Sequence, residues 1–255
     1  MGYKYIETAF KDGLASITLN RPPVNVLNIA MMEEINDALG SWLDEKDLKV
    51  LLINAQGKCF SAGVDVGEHM GDMAPKMIKV FHDMFRLMNK YEAPIVASVY
   101  GSCLGGGCEL AMFCDLVVSA DDAKWGQPEI QVGVFPPVAA QFLPRIMGRK
   151  SAMELILSGK IISAEEARQI GLVNQVVEKS ELETATSEFL KPYLKLSAEV
   201  LRKTKKAIIA GLRDDFDSSL KIIEDIYLGE LMKTADAQEG LAAFMEKRKP
   251  TWTNK

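Results

Sequence analysis

Two carboxylates stand beside glycine-rich backbone: Glu109 in Gly105-Gly106-Gly107-Cys108-Glu109-Leu110, and Glu129 in Gly126-Gln127-Pro128-Glu129-Ile130. Three glycines in a row weaken either regular structure, so they mark backbone that turns sharply or lies very close to another group. The segment from Glu109 through Leu110, Ala111, Met112 and Phe113 to Cys114 reads as a helix. The glycines then sit at its N-terminus, where unpaired N–H groups and partial positive charge suit a developing oxyanion. A short helix leaving at roughly 1.5 Å per residue and a strand through Leu116-Val117-Val118 returning at roughly 3.3 Å per residue can set Glu129 opposite Glu109. Oxyanion donors with two carboxylates are what hydration of a carbon–carbon double bond beside a carbonyl requires. One acid deprotonates the water, the other protonates the alpha carbon, and the N–H groups hold the enolate. Each feature also has a plainer use. A glycine run is most often a turn, Glu109 would complement a helix dipole, and Glu129 would serve as a solvated loop acid.

Composition narrows the class. With 255 residues, 48% of them hydrophobic and 25% charged, the chain has ample material for a core and no low-complexity tract that argues for disorder. A net charge of −5 excludes a broad cationic face for nucleic acid or anionic lipid. No basic start leads into an apolar run, and no apolar run reaches membrane-spanning length, so a cytoplasmic protein is expected. Cys59, Cys103, Cys108 and Cys114 lack paired C-x-x-C spacing, and two histidines are few for a metal site. Buried, reduced thiols and no metal are expected.

The elements that must position the two acids follow from periodicity. Residues 14–19 alternate as a strand that Asn20-Arg21-Pro22-Pro23 stops, and residues 29–42 have helical spacing. Further strands are predicted at 50–53, 94–99, 115–119 and 173–177, with a helix at 75–89 before the second of these. This is an α/β chain in which strand, strand and helix recur weakly. Beyond Ser180 the patterns are helical, at 182–194, 198–212, 216–232 and 238–247, with apolar faces that need a partner surface. The reading divides the chain into a core at 1–196 and a helical region at 197–255.

Gly105 to Asp115, taken with Trp125 to Ile130, resembles the signature of the crotonase, or enoyl-CoA hydratase, superfamily, and the similarity runs from Leu14 to Trp252. The resemblance implies a spiral of strand–strand–helix turns and C-terminal helices that build homotrimers, often paired into hexamers. It implies Glu109 as the water-activating acid, Glu129 as the proton donor, and the N–H groups of Val64 and Gly106 as the oxyanion hole. Coenzyme A would arrive as part of the substrate, with no separate cofactor. The loop through Ser61, Ala62, Asp65, Val66 and Met70 would border its adenine. Arg21, Val24 and Val26, with Phe244 and Lys247, would lie near the nucleotide end, and Gly105, Pro136 and Pro137 near the acyl group.

Competing chemistries lack their motifs. Cys59-Phe60-Ser61-Ala62-Gly63 misses the first glycine of a G-x-S-x-G elbow, and no glycine run fits G-x-G-x-x-G or a phosphate-binding P-loop. One departure from the superfamily concerns the acyl pocket: Pro136-Pro137-Val138 stands where a glycine-rich turn is usual, and Pro137 has no N–H to donate. That segment, with Asn25, Gly67-Glu68-His69-Met70 and Glu246-Lys247-Arg248, most resembles the cyclohexa-1,5-diene-1-carbonyl-CoA hydratases of anaerobic benzoate breakdown. A cyclic dienoyl thioester is the favoured substrate. A short-chain enoyl-CoA hydratase or 3-hydroxyacyl-CoA dehydratase is the nearest alternative, and a non-catalytic acyl-CoA-binding relative the alternative of another class.

Overall fold

The structure is a computed structural model that describes residues 2–69, 71–212, 222 and 229–255. Met70 and most of the expected helix at 216–232 lie outside the described residues, as does the side chain of Phe244. The chain opens with a hairpin of β1 (Ile6–Lys11) and β2 (Leu14–Leu19), closed by Asp12 and Gly13 at φ 53° and 81°. Asp-Gly is the pair that tolerates two successive left-handed residues in a two-residue hairpin. Helix α1 (Ile29–Ser41) follows, started by Asn28, whose side chain accepts from Met31 N–H, and its Met32, Ile35 and Leu39 face the core.

The next three turns of the chain repeat one plan. The first contains β3 (Val50–Ala55), a single bridging residue Ser61, and α2 (Ala74–Met88). The second contains β4 (Ile95–Val99), β5 (Ser102–Leu104) and α3 (Gly106–Met112). The third contains β6 (Leu116–Ala120), β7 (Lys124–Gly126) and α4 (Pro137–Ile146). Then come α5 (Arg149–Ser158), β8 (Ile161–Ser163), α6 (Ala164–Gln169), β9 (Gln175–Val177), α7 (Leu182–Leu194) and α8 (Ala198–Ala210), with a last helix at Ala235–Met245.

Leading strands of the turns join a six-stranded sheet ordered β1-β2-β3-β4-β6-β9, parallel from β2 onward. The second strands form a small sheet, β5-β7-β8. All five residues of β4 are buried, as expected of a parallel strand covered on both faces. One cover is α1 with α2; the other is α7, which lays Leu190 on Val50, Leu52 and Val96.

The C-terminal part is tied to its own core. Lys205 Nζ reaches Asp115 at 2.6 Å and donates to Ala93 O, Arg202 donates to Glu45 O, and Asn254 Nδ2 donates to Asp47 at 2.9 Å. Part of the surface that the sequence leaves for a partner is therefore met within the chain. No helix among the described residues is long and apolar enough to cross a membrane.

Candidate active site

The small sheet stacks equivalent points of three successive turns. Ser61 bridges Cys103, and Cys103 pairs with Trp125, so the residues that follow each come to the same end of the spiral. Those residues are Val64, Gly105-Gly106 and Glu129. Positions far apart in sequence are thus brought together by register alone.

Around the glycines, space decides the residue type. Gly105 has φ 52° and ψ −130°, and a Cβ there would stand 2.9 Å from Glu129 Oε1. Gly106 packs so tightly that a Cβ would meet Val64 Cγ2 at 2.4 Å and Phe81 Cζ at 3.1 Å. Such distances leave no room for alanine. The N–H of Gly105 is used on Gly126 O, and that of Glu109 on Gly105 O. By contrast, the N–H groups of Val64 and Gly106 take no acceptor among the described residues. Two free, adjacent N–H donors remain, one at the first turn of α3, which is the arrangement that stabilises an oxyanion.

Glu109 is buried, and its Oε1 accepts from Ala139 N–H at 2.8 Å. That donor belongs to the first turn of α4. Pro136-Pro137 is therefore not the rigid turn that the sequence implies but the start of a helix, with Pro137 in its first position, where a missing N–H costs nothing. The orphan N–H groups behind it serve Glu109. Burial pushes Glu109 up to about 8; the Ala139 and Val138 N–H groups pull it down, and the charge of Glu129 pushes it up.

Glu129 follows Gln127 and Pro128 at the head of a short 3-10 turn, Pro128–Val132, and burial raises it to about 7. Gln127 is fully buried against it. With its amide nitrogen toward Glu129, it donates to both carboxylate oxygens at 3.2 Å; turned over, its carbonyl can accept the proton of a neutral Glu129. The two acids together hold about one proton near neutrality. Hydration needs that stoichiometry, one carboxylate with one carboxylic acid.

Several expected substrate contacts are assembled. Arg21 donates to Val26 O at 2.9 Å, lies 3.8 Å from Asp65 and rests over the Tyr5 ring, while Ala62 N–H donates to Val24 O. Asn25 locks this loop, at φ 51°, by accepting from Arg21 N–H and donating to Gln56 O and Cys59 O. Ser61 is a correction: it is fully buried, with its hydroxyl donating to Asn25 O at 2.7 Å, so its side chain holds the loop and is not offered to a ligand. Val66 is exposed on the neighbouring 3-10 turn. Lys247 is exposed in a left-handed turn beyond the last helix and makes no hydrogen bond or ion pair among the described residues. The contributions of Val138, Ala139 and Phe81 escape a reading of the sequence, because two are backbone groups and the third is one apolar residue in an amphipathic helix. Gln127 carries a signal, a polar side chain inside the motif itself.

The profile described as Enoyl-CoA hydratase/isomerase matches residues 9–255. The chain belongs to this family. Among its relatives, the cyclohexa-1,5-dienecarbonyl-CoA hydratase of Thauera aromatica is 39% identical over 246 residues, 96% of this chain and 95% of that one. The crotonyl-CoA hydratase of Syntrophomonas wolfei is 36% identical over the full length of both. A solved enoyl-CoA hydratase from Bacillus anthracis superposes with a TM-score of 0.93 at 31% identity, covering 99% of this chain and 100% of that one. The family's spiral fold is thus the fold of this chain, and the chain is an enzyme of the hydro-lyase kind that enoyl-CoA hydratases represent.

Proposed function

We propose that this enzyme hydrates the ring of cyclohexa-1,5-diene-1-carbonyl-CoA, giving a 6-hydroxycyclohex-1-ene-1-carbonyl thioester. The observation that carries the hydratase reading is the pair of glutamates, Glu109 buried and Glu129 half-buried, beside the two free N–H groups of Val64 and Gly106. In this reading the thioester oxygen sits between those N–H groups, whose hydrogen bonds strengthen as the enolate forms. Burial and the charge of Glu129 hold the shared proton preferentially on Glu109. The productive form is the other singly protonated one, with Glu109 as the carboxylate that the α4 N-terminus favours; in that form Glu109 takes the proton of the attacking water. Glu129, as the carboxylic acid, delivers the proton to carbon. Conjugation through the ring lets hydroxide add to the carbon beta to the thioester, which sends the electron pair into the enolate held at the oxyanion hole, and lets the returning proton go to the far end of the diene, so that one ring double bond remains beside the carbonyl and the hydroxyl stands at position 6.

Identity to the Thauera relative favours the cyclic substrate. So does the acyl wall, where buried Pro136 and half-buried Pro137 fix the entry of α4 and leave an apolar, preformed surface that a rigid ring enters at small entropic cost. The four buried free cysteines suit work in a reducing cytoplasm. Steady-state kinetics test the substrate. kcat/KM for the dienoyl thioester should exceed that for crotonyl-CoA by at least about tenfold, roughly 1.4 kcal/mol in transition-state binding. Equal or better use of crotonyl-CoA would return the enzyme to the short-chain hydratases, the activity named for its Syntrophomonas relative.

A further inference from the structure

The two free N–H groups of the site differ in what holds them. That of Gly106 belongs to a helix, whereas that of Val64 lies in an irregular segment and owes its direction to ties on the segment's other side. Leu27 bridges Val64 in parallel: Leu27 N–H donates to Gly63 O at 2.8 Å, and Asp65 N–H donates to Leu27 O at 2.9 Å. In a parallel bridge these bonds use the neighbours of the central residue, so the N–H of Val64 itself points away from Leu27.

A second tie closes the frame just beyond. Glu68, in the 3-10 turn Val66–His69, accepts through Oε2 from the N–H of Ile29, the first residue of α1, at 2.6 Å. The turn between the ties is stiffened from within. Gly67 N–H donates to Asp65 Oδ1 at 3.0 Å, Glu68 N–H donates to Asp65 O at 3.1 Å, and His69 Nδ1 lies 2.9 Å from Asp65 O. Residues 27–29 therefore grip the segment at Gly63 and Asp65 and again at Glu68.

Helix α1 has its own cap, because Asn28 accepts from Met31 N–H at 3.1 Å. Glu68 takes a different orphan donor, on buried Ile29, and reaches it across 39 positions of sequence. What that reach adds is a fixed separation between α1 and the segment that carries Val64.

We propose that Glu68 is a positioning residue of the reaction: the length of its side chain, seated on the N-terminus of α1, sets where the Val64 N–H stands relative to that of Gly106. This role rests on the reading of Val64 and Gly106 as oxyanion donors. Such donors act at about 2.7–3.1 Å from the oxygen, and a misplacement of about 1 Å costs on the order of 10²-fold in rate.

Three variants separate reach from charge. Glu68→Ala removes the tie. Glu68→Asp keeps the charge but is one methylene short, and meets Ile29 only by drawing the segment toward α1. Glu68→Gln gives up the charge but keeps the length and an acceptor oxygen. With whichever of the dienoyl and crotonyl thioesters wild type turns over faster, Ala and Asp should lower kcat at least about tenfold with KM changed less than about threefold, and Gln should recover kcat to within about threefold of wild type. A role confined to the α1 dipole would order the variants by charge, with Asp above Gln. Acetoacetyl-CoA, a 3-oxoacyl thioester, reads the oxyanion hole without turnover, through the ultraviolet band of its bound enolate. The band should be present at saturation in wild type and Gln and weaker at least about threefold in Ala and Asp, with circular dichroism unchanged. Asp as active as wild type, or Gln as impaired as Ala, overturns the proposal while the oxyanion reading stands. A wild type that binds acetoacetyl-CoA with no enolate band overturns the oxyanion reading and this role with it. If Asp does not fold, Ala against Gln carries the same comparison.

Discussion

Glu109 and Glu129 are costly to bury, and that cost is what gives them a use. Each is raised from the ordinary carboxylate range, to about 8 and about 7, by loss of water around the charged form. The pair should therefore titrate as one unit. Below about 7 both are carboxylic acids and no base is available; above about 8 both are carboxylates and no proton can be delivered. A bell-shaped pH profile of kcat/KM with limbs near those two values is the expected outcome, and a profile flat from pH 5 to 9 would contradict it. Replacing either acid removes one half of the exchange. Glu109→Gln and Glu129→Gln should each keep the fold while lowering turnover by roughly two orders of magnitude or more. Near-full activity of either variant, with an unchanged melting profile, would take that residue out of the mechanism. The acids are legible from sequence because glycines flank both motifs. Ala139 is not, since what it supplies is a backbone N–H that any residue type carries.

At the scale of elements, α4 is where sequence and structure differ most. Pro136-Pro137 reads as a stiff turn that has surrendered a donor, yet Pro137 occupies the one helical position where a donor is not missed, and the next N–H groups reach Glu109. The elements at 14–19, 29–41 and 182–194 are legible because each runs through several repeats of its own period, and the strand at 50–55 because it opens on an unbroken apolar run. β5, β7 and β8 have three residues each, too few to display alternation, although their register is what brings Val64, Gly106 and Glu129 together. The role of α4 can be isolated. Ala139→Pro deletes the N–H that serves Glu109 without touching the helical ladder, whose next bond runs from Ala140 N–H to Pro136 O. A hydrogen bond to a charged group contributes about 1.5–3 kcal/mol, so the upper limb of the pH profile should move to higher pH and turnover should fall about tenfold or more. Circular dichroism must stay normal for the comparison to count. An unmoved upper limb in a folded protein would mean that the helix does not steady the anion.

For the whole molecule, the question is what keeps the C-terminal helices against the spiral, and the answer lies in the last five residues. Asp236, at the start of the last helix, is fully buried and accepts from Ser197 Oγ at 2.5 Å, Thr253 N–H at 2.6 Å, Thr253 Oγ1 at 2.9 Å and Asn254 N–H at 2.8 Å. The same tail reaches outward, with Trp252 Nε1 donating to Lys195 O at 2.8 Å and Asn254 Oδ1 accepting from Ala198 N–H at 3.1 Å. One carboxylate thus joins the tail to the start of α8. Ending the chain at Pro250 would leave Asp236 with Ser197 alone, and a buried charge stripped of its partners typically costs about 3–5 kcal/mol. At roughly 2–4 °C per kcal/mol for a chain of this size, the melting temperature should drop by about 6 °C or more. The active-site elements between Ser61 and Ala139 are untouched by this truncation, so turnover at 20 °C should stay within about twofold of the full chain. A melting temperature unchanged by the loss of residues 251–255 would show that α8 and the last helix hold to the spiral through their own ion pairs, such as Lys205 with Asp115, rather than through the tail.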